Sequence, residues 1–243
     1  MDVNSPQKFE VMDTPHHEEH LASSALLTDI VIGMSDGLTV PFALAAGLSG
    51  AVDSTGIIII AGIAEIAAGS IAMGLGGYLA GKTEQDHYNS ELRREYYEVD
   101  HLRHREMQET KEFFATIGLS EDLQEQAAQE VAKDKDKWVE FMMKYELGLD
   151  KPDPKRATKS AFNIGMSYVV GGLVPLSPYF FISTPAEALK YSVGVTLVCL
   201  FIFGWFKSRI TGVQPLWGAL RVMLIGAMAA AAAFGVARIF EGS

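Results

Sequence analysis

Charge in this chain is concentrated in its middle third. Of 30 acidic residues, 19 fall between Glu84 and Asp153, and 14 of 20 basic residues fall between Lys82 and Lys159. The stretches on either side are long apolar runs with rare charges. Averaged over the chain the signal disappears: 49% of residues are hydrophobic, 21% are charged and the net charge is −10, values a soluble protein could share. The segregation therefore carries the information, and it predicts a membrane part, a hydrophilic part and a second membrane part.

A hydrocarbon core about 30 Å thick is crossed by roughly 20 apolar residues rising 1.5 Å each. Five stretches satisfy this: Ile30–Ala51, Gly56–Ala80, Ala161–Ile182, Ala188–Phe206 and Leu216–Phe240. Unpaired backbone amides are too costly in lipid for anything but helices here. The expected fold is all-α, with five transmembrane helices and a three-helix domain inserted between the second and third spans. Its parts are a tail (1–28), two spans (29–81), a helical domain (82–158) and three spans (159–243). The tail carries Asp2, Glu10, Asp13, Glu18 and Glu19 against Lys8 and no compact apolar core, so no secretory signal is expected there. Cys199, the single cysteine, permits no internal disulfide.

Lys and Arg avoid the connections at 49–55 and 181–187 and gather at Lys82, Lys155, Arg156, Lys159, Lys207 and Arg209. This bias places the N-terminus and the inserted domain in the cytosol and the C-terminus across the membrane.

Ionisable residues inside the spans are expensive, so each asks for an explanation. Asp36 lies in the first span, five residues before Pro41. Proline lacks an amide hydrogen and frees the carbonyl of Gly37, so a carboxylate stands beside an unclaimed backbone oxygen. Either neighbouring hydroxyls such as Ser35 cap the carboxylate, or the oxygens together receive a dehydrated cation. Glu65 in the second span must protonate, pair or bind something. Met73, eight residues on, offers a soft thioether suited to late first-row metals, or merely packs. Gly62, Ala64, Ala67, Ala68, Gly69, Gly74, Gly76 and Gly77 surround these residues and would let helices approach closely, within one subunit or between two.

A helix uninterrupted to Gly118 is expected beyond Lys82. On it, at 100° per residue, Glu95, Glu98, Glu106 and Glu109 project at about 0°, −60°, +20° and −40°, with Glu91 at about −40°. Like charges on one face repel, and Arg94, Arg105 or a divalent cation would relieve them. Helices near 120–133, capped by Ser120, and 135–147 should follow. The last brings Met142, Met143 and Glu146 toward the stripe, with Glu112 and Glu140 as outlying members. Two Glu-x-x-His strings, Glu84 to His87 and Glu98 to His101, lie about 21 Å apart along one helix and cannot share a site within a subunit. The string His16-His17-Glu18-Glu19-His20 is read as a solvated tail.

Three strings also resemble a known family. They are Asp36 to Ser49, Ala67 to Leu79 (AAGSIAMGLGGYL) and Ser167 to Tyr179 (SYVVGGLVPLSPY). Together they are similar to the vacuolar iron transporters, in the plant form with a cytosolic metal-binding domain. The resemblance implies a homodimeric, proton-coupled antiporter in the vacuolar membrane, not an enzyme, moving ferrous iron out of the cytosol. It implies a transport pathway of Asp36, Glu65 and Met73. It implies metal binding by Glu95, Glu98, Glu106, Glu109, Met142, Met143 and Glu146. Fe2+ is then both substrate and bound ion, and Mn2+, Zn2+ or other divalent transition metals are possible. Protons and the lipid bilayer are the other partners, with no nucleic acid and no organic cofactor. Two alternatives are a membrane-anchored, ferritin-like iron oxidase or store, and a transporter whose main ion is manganese.

Overall fold

The computed structural model describes residues 20–241; most of the histidine-containing tail string lies outside them. The elements in chain order are α1 (His20–Ser49), α2 (Thr55–His101), α3 (Arg103–Thr116), α4 (Glu121–Val131) and α5 (Lys135–Phe141). A π turn (Met142–Glu146) continues α5. Then come α6 (Arg156–Leu176) with a 3-10 turn (Ser177–Phe180), α7 (Pro185–Ile210) and α8 (Pro215–Glu241). No strand occurs among the described residues.

Four of these helices are long and apolar enough to cross a membrane: α1 over Ala25–Ser49, α2, α7, and α8 over Pro215–Ile239. Their outer faces carry exposed side chains such as Ile60, Ile71, Ile202 and Leu216, as lipid contact requires. The helix expected as the third span, α6, is less apolar, because Lys159, Ser160 and Asn163 occupy its first turns. Its position accounts for the difference. It lies between α1 and α2, and its buried residues include Ala157, Ser160, Ile164, Tyr168 and Gly171. Two of its polar side chains turn inward, Ser160 and Asn163 both donating to Asp29 of α1, while Phe162, Met166, Val170 and Leu173 form an exposed apolar stripe.

Glycine permits this close packing. A Cβ on Gly33 or Gly37 of α1 would strike the carbonyl oxygens of Ile164 and Tyr168. On the other side, one on Gly81 of α2 would sit 2.7 Å from the Ala157 Cα. Gly62, Gly69, Gly74 and Gly77 face Leu176, Tyr168, Ala161 and Ile164 of the same subunit. Of the small residues set out above, Ala64, Ala67, Ala68 and Gly76 remain on the exposed face of α2.

With 47 residues, α2 is about 70 Å long, more than twice the hydrocarbon thickness. Its apolar part ends near Ala80, and from Lys82 onward it is a charged stalk. The stalk does not run on to Gly118 as expected. Leu102 leaves the helical region with φ −121° and ψ 28°. Its carbonyl accepts from the amides of both Arg105 and Glu106, starting α3 afresh.

The stalk, α3, α4 and α5 enclose a small core of Val99, Ala132, Trp138, Val139, Met142 and Met143. Trp138 is fully buried, and truncation to alanine at such a site costs about 3–5 kcal/mol. The Asp134 carboxylate caps α5 by accepting from the amides of Asp136 and Lys137, at 3.1 and 3.2 Å. Ser120 stands at the N-cap of α4 as expected, but its side chain makes no capping bond.

Candidate metal pathway

Carboxylates converge at two levels of the molecule. In the hydrophilic domain, single oxygens of Glu95, Glu98 and Glu106 lie within 4.8 Å of one another, as do those of Glu106, Glu109 and Glu146. Glu106 belongs to both groups. The break at Leu102 makes this possible, because Glu95 and Glu106 would stand about 16 Å apart along a straight helix. The four expected glutamates do converge, but because the helix carrying them is interrupted at Leu102 and not as a stripe along one straight helix.

Glu95 and Glu106 are each 1% exposed. Neither oxygen of Glu106 has a hydrogen-bond partner, and Oε2 of Glu95 has none. Buried carboxylates of this kind resist ionisation. Desolvation first, then the charges of Glu109, Glu95 and Glu98, push Glu106 up to about 8. Desolvation, Glu146 and Glu98 raise Glu95 to about 7 against the opposing effect of Arg94. Glu146, at the rim, is raised by desolvation and by Glu109 and Glu98. Arg94 lies 2.7 Å from Glu91, 3.8 Å from Glu95 and 3.7 Å from Glu98. Arg105 donates to Glu109 at 2.9 Å. These arginines neutralise the edges and leave the centre of the cluster without a cation.

Met142 and Met143 are buried at 1% exposure and stand on the π turn. There the Leu147 amide reaches back five residues to the Met142 carbonyl, and Gly148, with φ 64°, ends the segment. π turns recur where a helix re-aims functional side chains. Glu112 and Glu140 are exposed and join neither group, while Glu91 is held by Arg94. The two Glu-x-x-His strings stay apart on α2, and His101 instead stacks on Tyr97 with ring centroids 4.1 Å apart.

Within the membrane part the arrangement is sparser. Asp36 is half-buried and lines a cleft of about 300 Å³ with Ser35, Thr39, Lys207, Val222 and Ile225. Gly37, whose carbonyl Pro41 leaves without its helical donor, packs on the backbone of Tyr168 and Gly171. Across α6, Glu65 accepts a 2.5 Å hydrogen bond at Oε1 from the Tyr168 hydroxyl, and its buried Oε2 has no partner. Asp36 and Glu65 belong to neither of the three-carboxylate groups. Met73 is half-buried, two turns along α2 from Glu65.

Two contributors had escaped the sequence reading. Tyr168 was visible only as part of a string, yet its ring fills the notch left by Gly69, and its charged neighbours include both Glu65 and Asp36. Asp29, 1% exposed, receives both ends of the Arg156 guanidinium at 2.7 and 3.0 Å and the Ser160 hydroxyl at 2.9 Å. That pair ties α1 to the first turn of α6. Its signal in the sequence was an acid at the edge of one apolar run and an arginine at the edge of another.

The sequence profile of the VIT family matches residues 27–238, from the first turns of α1 through α8, and so takes in both carboxylate regions. The chain belongs to the VIT family. Among its VIT-family relatives, vacuolar iron transporter 1 of Tulipa gesneriana is 50% identical over 226 residues, covering 93% of this chain and 92% of that protein. Vacuolar iron transporter 1 of Arabidopsis thaliana is 48% identical over 236 residues, 97% and 94% of the two chains. Similarity extends to Protein CCC1 of Saccharomyces cerevisiae, 37% identical over 222 residues, 86% of this chain and 67% of that one. The tulip and Arabidopsis proteins carry the names of transporters, and none of the three carries that of an enzyme.

Proposed function

We propose that this chain is a proton-coupled antiporter that carries Fe2+ from the cytosol into the vacuole. It crosses the vacuolar membrane five times, with α6 as the third span and the domain of residues 82–158 in the cytosol. It works as a homodimer and accepts other divalent transition metals. The observation that carries this reading is a single property shared by the two carboxylate regions. Glu106, Glu95 and Glu65 all hold buried oxygens without partners. Such an oxygen needs either a proton or a cation, because a bare buried charge costs several kcal/mol. A group that must hold one or the other exchanges them, and exchange of metal for protons is antiport. The names of the relatives point to iron and to the vacuole as cargo and destination.

In this scheme the glutamates around Glu106, with the thioethers of Met142 and Met143, gather Fe2+ from the cytosol. Asp36, Glu65 and Met73 pass it through the membrane part, and the two carboxylates return with protons. The thioethers favour Fe2+ over Ca2+ or Mg2+, which prefer oxygen alone, while the carboxylates also admit Mn2+.

Coupling is tested in proteoliposomes with an acidic interior and a trapped pH dye. Fe2+ entry should be accompanied by a rise in internal pH and should stop when an ionophore collapses the gradient. Uptake indifferent to the gradient would exclude antiport. Oxygen consumption on adding Fe2+ to purified protein would instead support the oxidase alternative, and competition by Mn2+ ranks the two ions.

A further inference from the structure

The cytosolic cluster is backed by a buried hydrogen-bond chain with no part in the scheme above. Thr110, one turn beyond Glu106 on α3, is fully buried, as is Trp138 on α5. The Trp138 indole Nε1–H donates to Thr110 Oγ1 at 2.8 Å. The same oxygen lies 2.7 Å from the Glu106 carbonyl and 3.4 Å from the Met142 sulfur. With one lone pair engaged by the indole, the hydroxyl proton must point to one of those two acceptors.

We propose that Thr110, held by Trp138, is a positioning residue that fixes the Met142 thioether against α3, one turn from Glu106, and thereby sets the cluster's preference for soft divalent ions. The proposal rests on the cytosolic cluster being a metal site. Methionine has three rotatable side-chain bonds, so a buried thioether reaches a ligand position reliably only if something holds it. Threonine is suited to this, since its branched Cβ restricts the hydroxyl to two rotamers in a helix. Trp138 fixes which one, and the sulfur packs against the result. Were the sulfur to ligate an ion, the hydroxyl proton would have the Glu106 carbonyl, 2.7 Å away, to turn to. Outer contacts of this kind orient ligands in metal sites generally. The effect should be selective for the ion, because the thioether matters to Zn2+ and Fe2+ and contributes little to Mn2+.

The test is titration of the full-length protein in detergent with Zn2+ and, separately, with Mn2+. Glu106→Ala should weaken both ions, which establishes that binding is at this cluster. If it weakens neither, the metal-site reading fails, and this proposal with it. With that dependence in hand, Thr110→Val should weaken Zn2+ by about tenfold, within the range seen for outer-shell partners, and Mn2+ much less. Thr110→Ser should restore the wild-type ratio, and Trp138→Phe should lower it in the same direction. The ratio of two affinities from one preparation is blind to partial unfolding. In a Met142→Leu background, Thr110→Val should have no further effect on the ratio. Equal losses for both ions, an unchanged ratio, or a full effect without the Met142 sulfur would each overturn the proposal.

Discussion

The two carboxylate regions differ in how they deal with the same chemical problem. In the hydrophilic domain five glutamates crowd together, two of them are buried, and the arginines stand at the edge. In the membrane part Asp36 and Glu65 stand on separate helices with α6 between them. Each has hydroxyl groups close by, Ser35 and Thr39 beside Asp36 and Tyr168 on Glu65. A crowded site holds a dication strongly, since the ion relieves both repulsion and desolvation. A sparse one holds it weakly and releases it, as passage demands. The contrast is between a crowded acidic site and a sparse one, in keeping with the collecting and carrying roles proposed above.

The largest effect should come from the residue that joins both three-carboxylate groups. Glu106→Ala is expected to weaken Fe2+ binding by about 100-fold, the scale of one lost charged contact of about 3 kcal/mol, as read by titration of the purified protein. Equal weakening by Glu112→Ala, on the exposed side of α3, would remove the distinction between the centre and the surrounding acidic surface. Next in size is Tyr168→Phe, which removes the one hydrogen bond seen on Glu65. Fe2+ flux into proteoliposomes should fall about tenfold, equivalent to a hydrogen bond of about 1.4 kcal/mol, while binding at the Glu106 cluster stays unchanged.

The smallest effect is on stability, and its sign is distinctive. Glu95 and Glu106 are raised to about 7 and about 8 from an ordinary 4.5. Without metal, the folded state therefore binds more protons than the unfolded state between those values. The contribution of this pair is fully present below pH of about 4.5 and is lost as the pH rises through about 8. In chelator the unfolding temperature should fall by a few degrees from pH 6 to pH 8.5, on the scale of about 2–4 °C per kcal/mol for a chain of this size. Fe2+ or Mn2+ should restore it at the higher pH, and Glu106→Gln should flatten the slope. A slope equally steep in Glu106→Gln would place its origin elsewhere.

The same contrast explains what could be read from the letters alone. Helical class, the apolar runs and the membrane acids follow from local pattern, because lipid punishes any exception within a few residues. That Glu95, Glu98, Glu106 and Glu109 would lie near one another was also legible, since they share a face at 100° per residue. The geometry of their cluster was not. Leu102 is neither Pro nor Gly, and nothing local marks it as the place where α2 ends. The break becomes favourable only through contacts made far along the chain, where Trp138, Val139 and Met142 pack on Val99. Likewise α6 carries polar residues that lower its hydropathy, and only the fold shows Ser160 and Asn163 meeting Asp29 of α1. Asp29 and Arg156 are 127 positions apart, and no periodicity connects them.

Proteoliposome uptake of Fe2+ under an imposed pH gradient, measured across a range of outside Fe2+ for Glu65→Ala and Glu106→Ala, tests the division of labour most directly. Glu65→Ala should stay at the level of empty liposomes at every concentration. Glu106→Ala should be slow when Fe2+ is scarce and recover toward wild type when it is abundant. Full flux through Glu65→Ala, or a deficit in Glu106→Ala that excess Fe2+ leaves untouched, would contradict the account.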